Sequence, residues 1–283
     1  KREIIPEEIA KQYNLDTITV DGWVYFEIRK GMPGLKQAGR IANERLTEHL
    51  KKYGYEPAKR TPAYWRHKTR PISFVLCVDD FGIKHQGRVN AEHLIKTLKK
   101  YYKITANWNG DQCVGITLKW NYNKRILDTH VPGYVQNALH KLQYPPPTKP
   151  QHAPAKTKPI KYGAKIQRSI SDTTPHLSQD KIRKVQEAVG IFNWYSRATD
   201  PTMAATLSSI GTRQAKATEQ VEKETAWFLD YCHTHPDAGV RFLASDMILS
   251  LESDASYQSE YGSKSRAGGL FFLTRLNEPN FNN

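Results

Sequence analysis

The chain has 283 residues and a formal net charge of +14, with 42 Lys and Arg against 28 Asp and Glu. That excess predicts attraction to a polyanion, nucleic acid before an anionic membrane surface, and the length leaves room for more than one module. No apolar run approaches the roughly 18–20 residues that span a bilayer, and no charged-then-apolar leader opens the sequence. The cysteines, Cys77, Cys113 and Cys232, are too scattered for a metal knuckle or a disulfide framework, so a reducing, intracellular setting is expected.

In chain order, residues 17–20 and 23–28 are β-rich runs around Asp21-Gly22, a two-residue hairpin signal. Residues 29–40 then interleave glycines with Arg29, Lys30, Lys36 and Arg40. Such a stretch can bring backbone close to phosphates, and it can equally be a Gly/Pro turn before a helix. A helix is expected from Ala38 to Tyr53, with Gly54 at its C-terminal cap. Residues 55–65 read as loop and short strand. A buried strand at 72–78 meets two adjacent carboxylates, Asp79 and Asp80, before Phe81-Gly82 turns into a second strand. Carboxylates there suit a divalent metal such as Mg²⁺, or an ordinary hairpin turn.

A helix is expected from Asn90, with Val89 and Leu94 placed as a hydrophobic staple and a basic end. Residues 112–120 and 125–130 form a predicted second hairpin, followed by a helix after Val131-Pro132-Gly133. Residues 145–168 hold prolines and basic residues without an acidic one, which predicts an extended, poorly packed linker able to strap across nucleic acid. Further helices are expected after Ser178, near Met203 and from Thr218. His233 and His235 near the end of the last helix suit either a metal or solvent exposure, with no partner Cys/His set evident in the sequence. Residues 247–257, with Asp254, and 265–273 read as paired strands.

Taken together, these segments resemble the polymerase of copia-type LTR retrotransposons. Gly34-Leu35-Lys36-Gln37-Ala38-Gly39-Arg40 is similar to that family's GLKQxPR motif, with Gly39 at the usual proline. Cys77-Val78-Asp79-Asp80 resembles the YVDD box, with Cys at the aromatic position. Cys113-Val114-Gly115-Ile116 resembles the FLGI-type strand, and Asp200-Pro201-Thr202-Met203 loosely resembles the RPDIA element. Ser253-Asp254-Ala255-Ser256 and the 265–273 run resemble the opening SDAD and SGYLFFL strands of the RNase H module.

The resemblance implies an α+β fold: a reverse transcriptase palm at 1–124, a thumb-like segment at 125–144, a basic linker at 145–176, a helical connection at 177–244 and a truncated RNase H-like hairpin at 245–283. It implies RNA-directed DNA synthesis with Mg²⁺ or Mn²⁺, held by Asp79 as principal ligand with Asp80 assisting. Gln37 would line the nucleotide and template pocket, Lys36 and Arg40 would bind phosphate, and Phe81 and Gly82 would shape the hairpin tip. Asp254 would be the first metal ligand of an RNase H site. RNA template, DNA primer, dNTPs and the remainder of a polyprotein would be partners, with no membrane, in a cytoplasmic particle or the nucleus. The family's third polymerase carboxylate is expected before Lys1, since Glu7, Glu8, Asp16 and Asp21 fall in a helix, loop or turn. The chain is therefore expected to be a fragment with both active sites incomplete, weak or inactive alone. The alternative is a non-catalytic, basic nucleic-acid-binding remnant.

Overall fold

The computed structural model describes residues 1–27, 31, 34–156, 172–260, 262 and 264–276. The fold is mixed α+β, with small antiparallel sheets, and it divides into two compact units, Lys1–Ala106 and Asn107–Asn283. Among the described residues no helix is long and apolar enough to cross a membrane.

The first unit opens with helix α1 (Glu7–Gln12) and a short ribbon, β1 (Thr19–Val20) and β2 (Trp23–Val24). Its turn is Asp21-Gly22, both at positive φ (50° and 76°), as the dipeptide predicts. Residues 28–30, 32 and 33 of the basic stretch lie outside the described residues. Helix α2 (Lys36–Lys52) follows and stops at Gly54, whose φ of +85° suits glycine. Next comes an antiparallel meander of β3 (Tyr55–Ala58), β4 (Thr61–His67), β5 (Ile72–Cys77) and β6 (Asp80–His85), then helix α3 (Arg88–Lys99). Residues 55–65, expected as loop and short strand, thus form two strands. Pro57 is tolerated because β3 is an edge strand.

One face of this sheet is covered. Leu50 of α2 and Leu94 and Leu98 of α3 pack with Tyr55, Trp65, Ile72 and Phe74, each buried aliphatic side chain contributing about 1.5–3 kcal/mol. Only the C-terminal part of α2 joins this core; Ile41, nearer its start, is exposed. α3 starts at Arg88 rather than Asn90, and Val89 is exposed, so the expected staple is not made. Asn90 instead bonds sideways, donating to Gln86 O and accepting from Arg70.

In the second unit, β7 (Gln112–Cys113), β8 (Ile116–Asn121) and β9 (Ile126–His130) precede helix α4 (Tyr134–Lys141). The run expected as one strand at 112–120 is broken. Val114 (φ 52°) and Gly115 (φ 76°) make a two-residue turn that folds β7 onto β8, so the FLGI-like stretch is a turn with strand ends. These strands, expected with the palm, belong to the second unit. Helices α5 (Gln179–Ala198), α6 (Ala204–Gly211) and α7 (Glu219–Thr234) pack with α4 around Phe192, Tyr195, Met203 and Phe228. On α7, expected from Thr218, the side chains of Val221, Thr225, Phe228, Leu229 and Cys232 are buried, and the Thr218 hydroxyl caps its start. Strand β10 (Gly239–Leu243), absent from the sequence reading, adds to the sheet beside β9. Finally β11 (Ile248–Glu260) and β12 (Lys264–Thr274) pair as the expected hairpin.

The segment expected as a loose linker is docked where it is described. Just before it, Tyr144 Oη donates to Asp230 (2.7 Å); within it, Gln151 N–H donates to Thr234 Oγ1 (3.0 Å) and Ala153 O accepts from the Trp227 indole N–H (2.9 Å). Lys156 stands 4.6 Å over the Trp227 ring. Residues 157–171 of the expected linker at 145–176 lie outside the described residues.

Candidate functional site

Strand pairing decides what surrounds Asp79 and Asp80. Ile72↔His85, Phe74↔Ile83 and Leu76↔Phe81 are paired on the covered face. The alternation of a pleated strand therefore sends Ser73, Val75, Cys77, Asp80, Gly82 and Lys84 to the uncovered face. Cys77 pairs with Asp80, so Val78-Asp79 is a two-residue turn at the tip. Val78 has a φ of +58° and is 91% exposed. A β-branched residue in the left-handed region is strained, and such strain is concentrated at functional sites.

Both carboxylates are exposed, and no hydrogen bond or ion pair joins either to a described residue. Both are hard oxygen donors of the kind Mg²⁺ takes, and an ion held by them would leave its other positions to water and phosphate oxygens. Cys77 stands across from Asp80, but among the described residues no group of three or more Asp, Glu, His or Cys is placed to hold a metal ion. Phe81 is turned away, packing its ring 5.2 Å from Phe74 in the core, so it supports the hairpin from beneath. Gly82 lies on the uncovered face opposite Val75.

Further along that face a cross-strand row joins Arg66, Ser73 and Lys84. With Tyr64, Arg70 and His85 they line a groove of about 340 Å³. Arg66 and Lys84 are exposed and make no ion pair with a described residue; Arg70 is held by Asn90 Oδ1 at 3.2 Å. Lys84 is four residues from Asp80 on one strand, about 13 Å at 3.3 Å per residue. Sequence reading missed this row. Its signal was the period-2 alternation of Tyr64/Arg66 and Gly82/Lys84, which becomes a patch only once the register is fixed.

The other expected residues are placed separately. Lys36, Gln37 and Arg40 are exposed on the first turns of α2, and Arg40 pairs with Glu44 at 3.0 Å. No hydrogen bond or ion pair ties these three to the Asp pair. Asp254 sits mid-strand opposite Gly268, exposed, and among the described residues it accepts only from Ala255 N–H (2.8 Å). Asp200 of the RPDIA-like stretch is buried as a cap, accepting from Thr202 N–H and Oγ1. No protein-family model matches the chain, and no solved structure matches it.

Proposed function

We propose that this chain carries the palm hairpin of a copia-type reverse transcriptase, in which Asp79 and Asp80 supply two carboxylates for the catalytic Mg²⁺ or Mn²⁺. The observation that carries the reading is the unpartnered Asp pair beside a strained tip, on an uncovered face that becomes basic about 13 Å away. That reach corresponds to roughly four base steps of 3.4 Å. Arg66 and Lys84 would hold a backbone while its terminus lies at the carboxylates. The metal, when bound, supplies charge stabilisation at the reacting phosphate and activates the attacking hydroxyl. By the same resemblance Lys36, Gln37 and Arg40 face nucleotide and template, and Asp254 belongs to a second, RNase H-like site. Polymerases of this kind use three carboxylates, and among the described residues no third joins Asp79 and Asp80, so little extension is expected.

The test is binding of an RNA–DNA primer–template, followed by fluorescence anisotropy with and without Mg²⁺. Wild type is expected to tighten with Mg²⁺, and Asp79→Asn to lose that gain while keeping the metal-independent part. Affinity indifferent to both Mg²⁺ and Asp79→Asn would support the second reading, a basic nucleic-acid binder without catalysis. The free Arg66–Lys84 groove favours that reading if the carboxylates are silent.

A further inference from the structure

His235 follows the last turn of α7, and His152 lies 83 residues earlier in the docked segment before residue 157. The fold brings His152 Nδ1 to 3.2 Å from His235 Nε2, with both imidazoles exposed. The residues on either side of His152 are tied to α7 by their main chain, Gln151 N–H to Thr234 Oγ1 and Ala153 O from the Trp227 indole. His235 in turn packs its ring 5.0 Å from that of Tyr231, and its main-chain N–H donates to Tyr231 O. Both rings are therefore held from the backbone up.

Two imidazole nitrogens bound tetrahedrally at 2.0–2.1 Å are about 3.3 Å apart, close to the separation already present. We propose that His152 and His235 form a two-histidine site for a borderline divalent transition ion such as Zn²⁺, Ni²⁺ or Cu²⁺. Imidazole is a preferred donor for these ions, and the exposed side of the pair leaves the other positions to water. On binding, the proton the two rings otherwise share moves to the far nitrogen of its own ring or to solvent, and the ion takes its place. It clips residues 145–156 to the end of α7, adding a metal fastening to the existing hydrogen bonds. The site is distinct from the hard-oxygen Asp79–Asp80 pair and does not depend on the polymerase reading.

The full chain titrated with ZnCl₂ by calorimetry is expected to bind one ion at this pair. His152→Ala and His235→Ala should each weaken that binding on the order of tenfold or more, since loss of even an outer-shell partner costs 10–100-fold. His233→Ala, an exposed histidine two residues earlier, should not. Amide exchange of residues 145–156 should slow on adding Zn²⁺. With Cu²⁺, electron paramagnetic resonance of the wild type should show two coupled imidazole nitrogens, a readout independent of how the variants fold. Absence of Zn²⁺ binding, variants that bind as the wild type does, or a Cu²⁺ spectrum with fewer than two imidazoles at this pair would overturn the proposal and leave a simple N–H···N hydrogen bond.

Discussion

At the scale of single residues, the most informative departures from ordinary chemistry are Val78 and the His67–His93 pair. A left-handed valine costs about 1–3 kcal/mol, while glycine at the same place loses roughly 0.5–1 kcal/mol in unfolded-state entropy. Val78→Gly should therefore stabilise the first unit by about 1 kcal/mol, read as a raised urea midpoint at constant slope; a lowered midpoint would mean that Val78 bears no strain. The histidines lie against the core. His67 Nδ1 accepts two main-chain N–H bonds, from Thr69 (3.1 Å) and Arg70 (3.0 Å), and His93 Nδ1 is 2.9 Å from Tyr55 Oη. Burial first, then the Arg70 guanidinium, holds the His93 pKa below 6.5; burial lowers that of His67 too, with Arg70 adding to it. The unfolded chain then binds more protons than the folded one, so stability rises with pH across the interval between the lowered values and 6.5. It is complete above that interval and is lost as pH falls through the folded values. Urea midpoints measured from about pH 5 to 7.5 should climb, and His93→Gln should flatten the climb.

At the scale of elements, the β11–β12 ribbon shows what alternation does when nothing covers it. Leu249, Leu251, Phe271 and Leu273 fall on one face by register, with Ala255 and Ala267 beyond them, and the four large side chains are exposed. Glu252, Asp254, Ser256 and Arg266 share the other face, where Arg266 also pairs with Glu260. An exposed apolar strip on a long ribbon favours self-association. Leu251→Thr with Phe271→Thr, a directly opposed pair, should lower dye binding to exposed apolar surface and reduce sedimenting oligomers; unchanged behaviour would place the sticky surface elsewhere. This ribbon was legible in the sequence because residues 247–257 alternate and 265–273 are rich in strand formers, even though its register shifts between Ser256 and Glu260, and α7 because its stripe and Thr218 cap are both local. The turn at Val114 was not, since a β-branched residue is a poor advertisement for positive φ. β10 was illegible for another reason: the Arg241–Asp128 ion pair that fastens it to β9 spans 113 positions. The same distance effect hid the meeting of His152 with His235.

At the scale of the whole molecule, composition gave the sign and size of the charge but not its placement. Of the candidate site, the Asp pair was legible because both carboxylates are consecutive, whereas the basic row needs three strands in register to exist. A net charge of +14 alone predicts diffuse attraction to any polyanion; a row such as Arg66–Ser73–Lys84 predicts discrete phosphate contacts. Salt separates the two. Each phosphate neutralised contributes about −0.9 to the slope of log K against log salt on a duplex. If the groove holds the backbone, Arg66→Ala with Lys84→Ala should reduce that slope by about 2 and weaken binding equally for unrelated sequences. A control that removes two exposed cations on another surface, Lys181→Ala with Lys223→Ala, lowers the net charge by the same amount. If both double variants shift the slope alike, the attraction is diffuse and the groove is not the binding surface. A larger change for Arg66 and Lys84 localises the backbone to the face on which Asp80 stands, where a bound terminus comes within reach of the carboxylates.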